Sequence, residues 1–170
     1  MRVLRCIGVA CVAIAGSGCA GYKVGPTNGL AAGEKSVQVA PFAKQTLEPR
    51  LGDALTSALR KELQRDGTYK LATHDTGDIV VSGAITQYNR SAQSFVTTDV
   101  ITPQDYRVSL TAQVTARERS SGKVLLDKPF TGHTLLRVTT DLTSADREAL
   151  PLLATDVARQ VTTSLADGSW

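Results

Sequence analysis

From Tyr106 to Arg117 the chain alternates without a break. Tyr106, Val108, Leu110, Ala112, Val114 and Ala116 fall on one side; Arg107, Ser109, Thr111, Gln113, Thr115 and Arg117 fall on the other. A strict period of two predicts a strand with one buried and one wet face. Ser120, Ser121 and Gly122 then read as a hairpin turn, and Val124 to Phe130 as the returning strand. Upstream, residues 78–88 are β-rich, with Ile79, Val81 and Ile85 on one face. Residues 36–41 alternate Val37 and Val39, and Pro41 ends that strand or places it at an edge. Residues 69–73 are a further short candidate.

Two segments carry the helical period instead. Leu51, Ala54, Leu55, Ala58, Leu59 and Leu63 share one face. Pro49 suits a first helical position, Glu48 favours the positive end of the helix dipole, and Gly67 is a natural stop. In the second segment, residues 143–165, the stripe is Leu150, Leu153, Ala154, Val157, Ala158, Val161 and Leu165. Thr143 or Ser144 is the expected cap, with Asp146 and Glu148 in the first turn. Pro151 predicts a kink or a late start. The order β–α–β–β–β–β–α, with one strand very short, defines an α+β fold. We expect a two-layer sandwich: two amphipathic helices on one face of a mixed four-stranded sheet.

The N-terminus has a separate pattern. Arg2 and Arg5 precede the uncharged apolar run Cys6–Ala15, and the small residues Gly16, Ser17 and Gly18 lead to Cys19. A charged start, a short apolar run and a small-residue cleavage site make a secretory signal. The run is about half the ~20 residues a spanning helix needs. Ser17, Gly18 and Cys19 resemble the bacterial lipobox, in which the cysteine becomes the first mature residue and is acylated. Gly16 departs from that pattern, which usually has a leucine-like residue there. The alternative is a plain export signal with an incidental cysteine. Ala20 is not the aspartate that signals inner-membrane retention, so the resemblance implies an outer-membrane anchor. The expected layout is therefore a signal at 1–18, a flexible Gly-rich tether at 19–35 and a single domain at 36–170.

Composition narrows the chemistry. The three cysteines are Cys6, Cys11 and Cys19. Cleavage discards two and lipidation consumes the third, leaving none for a disulfide, a metal or a nucleophile. Removing Arg2 and Arg5 from the net charge of +3 leaves about +1, too little for a nucleic-acid binder. His74 and His133 stand far apart, and no zinc spacing, GxSxG elbow, GxGxxG or P-loop is present. The expectation is a non-enzymatic protein without cofactor or metal.

Two features remain. Residues 94–105, SFVTTDVITPQD, join two strands yet carry Phe95, Val96, Val100 and Ile101. They read either as an apolar contact loop or as extensions of the two strands. The cations Lys44, Arg50, Arg60, Lys61 and Arg65 are either a solvated face or phosphate partners. Arg50 lies about three helical turns from Arg60 and Lys61, so one continuous patch is not assured.

The stretches SVQVAPFAKQTLEPRLGDALTSALRKELQRDGTYKL, DIVVSGAITQY and YRVSLTAQVTARERSSGKVLLD, following Cys19 and Tyr22, closely resemble the LptE family of lipopolysaccharide-assembly lipoproteins. The resemblance implies a plug and folding partner inside the outer-membrane β-barrel LptD, in a complex that delivers lipopolysaccharide to the outer leaflet. It implies attachment to the membrane through acylated Cys19, with the domain facing the periplasm and the barrel lumen. Lys44, Arg50, Arg60 and Lys61 are the charge-based candidates for lipopolysaccharide contact. Phe95, Val100, Ile101, Arg107 and Arg117 are the candidates for partner contact. The second reading is a lipid-anchored periplasmic interaction module of another envelope or secretion machine.

Overall fold

The computed structural model describes residues 32–44, 50–96, 99–138 and 141–168, without the side chains at 44, 96 and 99–102. The signal, Cys19 and most of the tether lie outside the described residues. Two long strands dominate: β4 (Ile79–Val96) and β5 (Asp99–Glu118), paired antiparallel from Ile79↔Glu118 to Val96↔Asp99. β6 (Val124–Arg137) returns along β5, from Arg117↔Val124 to Asp105↔Arg137. On the other side of β4 lies β1 (Ser36–Val39), parallel to it, and beyond β1 lies β3 (Lys70–Leu71). The two-residue β2 (Ala43–Lys44) also pairs with β4, giving the order β3-β1-β4-β5-β6 with β2 off the path. The sheet is mixed, as the sequence predicts. It has six strands rather than four: β3 falls within the 69–73 candidate, and β2 is too brief to leave a clear period.

Residues 94–105 settle the choice left open above, because both strands run into this region. Phe95 pairs with Pro103, with register shifts on either side.

The alternation in β5 sorts its side chains as expected. Val108, Leu110, Ala112, Val114 and Ala116 are fully buried, whereas Ser109, Thr111, Gln113 and Thr115 are half-exposed. Helices cover the buried face. α1 (Leu51–Asp66) seats Leu51, Leu55, Leu59 and Leu63 there. Each such leucine contributes about 1.5–3 kcal/mol by leaving water. Gly67 ends the helix at φ 74°, a left-handed conformation that glycine adopts without strain, and its N–H donates to the Leu63 carbonyl. Residues 45–49, including Glu48 and Pro49, lie outside the described residues.

α2 (Leu142–Asp167) starts earlier than its apolar stripe suggests. Its cap is Asp141, whose carboxylate accepts from the Ser144 N–H at 2.8 Å, so neither Thr143 nor Ser144 holds that position. The helix runs continuously through Pro151, so there is no late start. Its stripe of Leu150, Leu153, Ala154, Val157, Ala158, Val161 and Leu165 is buried against α1 and the sheet.

Gly77, Gly83 and Gly132 each set a close approach, Gly77 with a Cβ position 2.6 Å from Gln38 Cβ. A Cβ at Gly132 would stand 2.8 Å from Val157 Cγ2 and 3.0 Å from the Leu153 carbonyl, so α2 lies almost on β6. A Cβ at Gly83 would meet the Phe42 ring and the Gln113 carbonyl.

Candidate functional site

β1 and β4 run in the same direction, which gives the molecule two distinct ends. At the lower end the chain enters the domain. The Gly33 N–H donates to the Thr68 carbonyl, and Lys35 Nζ sits 2.8 Å from Glu118 Oε1. The Ser36 N–H and hydroxyl both donate to Asp78 Oδ2. The bond to Lys35, helped by Ser121, lowers the Glu118 pKa; the bonds from Ser36 lower that of Asp78. The last residues of the expected tether are thus already tied to the sheet. The β4–β5 hairpin lies at the opposite end, about 55 Å away at 3.3 Å per residue.

Helical cover stops short of that upper end. Asp146, in the first turns of α2, accepts from the Tyr88 hydroxyl at 3.2 Å and pairs with Arg90 at 3.2 Å. Beyond this latch, residues 91–93 are exposed and Phe95 is 47% exposed. A tie across three strands stiffens the ribbon. Asp105 accepts from the Ser94 hydroxyl at 2.6 Å and from Arg137 Nε at 2.8 Å. Those bonds, that from Arg137 foremost, hold the Asp105 carboxyl below the usual carboxylate range and raise the Arg137 pKa. Two pairings further down, Arg107 is exposed opposite Leu135, which is 66% exposed.

The face of the sheet away from the helices has no cover among the described residues. Its side chains satisfy one another laterally. The Thr111 and Thr131 hydroxyls lie 3.0 Å apart. Gln113 Nε2 donates to Asp127 Oδ1 at 2.7 Å, and the Thr115 hydroxyl donates to the same oxygen at 3.2 Å. The middle of this face is a mat of hydroxyl and amide groups, with its one carboxylate engaged.

The sequence candidates separate. Phe95 and Arg107 both lie on the upper ribbon, Phe95 opposite Pro103 and Arg107 opposite Ser91, with the backbone of Val100 and Ile101 in the same hairpin. Arg117 is at the other end of β5, about 33 Å from Arg107. The basic candidates form no single patch. Arg60 Nη2 donates to the Val39 carbonyl at 2.9 Å and so braces α1 against β1. Lys61 and Arg50 are exposed, and the Lys44 side chain lies outside the described residues. His74 and His133 sit on a turn and on β6, and no metal-binding cluster occurs among the described residues. Sequence reasoning missed Leu135 and Arg137 because the returning strand was expected to end at Phe130. Continuing its alternation by seven residues would have placed both on the wet face.

Two amphipathic helices on one face of a mixed sheet, with the other face polar and open among the described residues, define a small two-layer α+β domain. Solved structures share the fold. A Xanthomonas campestris protein matches with a TM-score of 0.59 at 13% identity, over 87% of this chain and 93% of its own. A minor lipoprotein from Acinetobacter baumannii matches at 0.53 and 14%, over 79% and 94%. A lipoprotein from Caulobacter crescentus matches at 0.51 and 10%, over 74% and 87%. No curated protein matches the chain. The LptE lipopolysaccharide-assembly family model matches residues 34–165, and the chain belongs to that family of envelope lipoproteins. No helix among the described residues is long and apolar enough to cross a membrane.

Proposed function

We propose that this protein is a lipopolysaccharide-assembly lipoprotein that plugs the outer-membrane LptD barrel and helps it fold, held to the membrane by acylated Cys19. Membership of the LptE family supports the pathway. The observation that carries the plug reading is the open mat of Thr111, Gln113, Thr115 and Thr131. A barrel lumen is polar, so what sits inside needs a hydrophilic exterior over its own core. The division of the molecule into two ends supports an orientation. Cys19 lies 16 residues before Lys35 in the chain. This link keeps the Lys35 end near the lipid and sends the Phe95 hairpin up the lumen. The upper ribbon offers Phe95 near its tip and Arg107 opposite Leu135, apolar groups and a cation suited to an amphipathic phosphorylated lipid.

Photo-crosslinkers at Phe95, Thr111 and Lys61 test this in cells. The expected result is barrel adducts from Thr111, lipid or barrel adducts from Phe95 and none from Lys61. Co-purification in mild detergent is expected to recover a large β-barrel. Recovery of monomer alone, with normal surface lipopolysaccharide after depletion, would instead favour a module of another envelope machine.

A further inference from the structure

β6 is the outer strand of the sheet on the side away from β1, and 14 residues of edge there could accept another strand. Pairing to β5 uses the backbone of Lys128, Phe130, Gly132 and Thr134, so positions 129, 131 and 133 turn their backbone groups outward. At each of the three, one of the two edge groups is engaged or missing. Pro129 has no N–H to offer. The Thr131 carbonyl accepts from Gln160 Nε2 at 3.1 Å. The His133 N–H donates to Asp156 Oδ2 at 3.0 Å. Both side chains come from α2, four residues apart on one face. They reach the strand because the helix lies against Gly132, where no larger residue fits without a shift.

We infer that α2 acts as a surrogate strand: Asp156 and Gln160, with Pro129, close the central part of the β6 edge, residues 129–133, to strand addition by a second copy of this chain. The closure is local and chemical, because the edge is covered by two side chains and one missing donor rather than by an apolar lid.

The test uses the purified full-length protein. Amide hydrogen exchange at His133 is compared between wild type, Asp156→Ala and Asp156→Asn. The alanine variant is expected to exchange about tenfold faster at that amide, while asparagine, which still offers an acceptor, stays close to wild type. Sedimentation over a range of concentrations is then compared between wild type and the triple variant Pro129→Thr, Asp156→Ala, Gln160→Ala. The triple variant is expected to form larger species at concentrations where the wild type is unchanged. A triple variant with native circular dichroism that sediments like wild type overturns the proposal. If the triple variant does not fold, equal His133 exchange in wild type and Asp156→Ala overturns it on its own.

Discussion

The Tyr69 hydroxyl donates to the Leu165 carbonyl at 2.9 Å, joining the connection after α1 to the last turn of α2 across 96 residues. Tyr69 is 3% exposed, so the bond is made away from water at the base of the helix pair. Tyr69→Phe keeps the ring and removes only the hydroxyl. It is expected to lower unfolding stability by about 1 kcal/mol, read as a smaller urea midpoint with an unchanged slope. No change in midpoint would show that the hydroxyl contributes nothing there.

Thr162 poses the opposite case. It is 5% exposed, and its hydroxyl has no hydrogen-bond partner among the described residues. Valine has a similar shape and removes the unpaired group. Thr162→Val is therefore expected to leave stability equal or raise it by up to about 1 kcal/mol, measured by thermal unfolding. A loss of more than about 1 kcal/mol would mean that the hydroxyl is satisfied in solution.

Gly132 and Gly83, two of the crowded glycines, differ in what they meet. At Gly132 the nearest atom to a new Cβ is a valine methyl, which can yield; at Gly83 the backbone carbonyl of Gln113 blocks the way along with the Phe42 ring. Gly132→Ala is expected to cost about 1–3 kcal/mol, and Gly83→Ala more. Equal midpoints for the two variants would contradict this ordering.

Acid should loosen the sheet in a defined direction. Asp78, Asp105, Glu118 and Asp141 all have lowered pKa values in the folded protein, each mainly through a hydrogen bond to its partner. A depressed carboxylate contributes stability that is complete above its unfolded pKa, near 3.8 for aspartate, and is lost as pH falls through the folded value. Stability is expected to be flat near neutrality and to fall below about pH 4. Asp105→Asn should flatten part of that acid limb. Identical urea midpoints at pH 3 and pH 7 in the wild type would refute the assignment.

Phe95 stands outside the core, so its role is separable from folding. Phe95→Ser is expected to change stability by less than about 0.5 kcal/mol while reducing capture of partner or lipid by the hairpin. Lost capture together with lost stability would place Phe95 in the structural framework instead.

Much of this was legible in one dimension. The period of two in residues 106–117 placed Val108 to Ala116 inside and Ser109 to Thr115 outside, and the helical stripes named Leu51 to Leu63 and Leu150 to Leu165. Apolar periodicity is a local signal, because the repeat of the backbone decides which side chains share a face. Family resemblance then supplied the biological setting. The charge-based candidates fared differently: Arg60 proved to be a brace on Val39, since composition does not say which cations find a carbonyl.

By itself, then, the sequence determined the class of the fold, its core and the polarity of its open face. Only the tertiary structure decided which backbone groups of the β6 edge are engaged and where the ribbon escapes the helices. Asp146 meets Arg90, Asp105 meets Arg137, and Asp156 meets the His133 amide across 23 to 56 residues of chain. Such pairings depend on how elements are laid beside one another, and no repeat in the sequence encodes that distance.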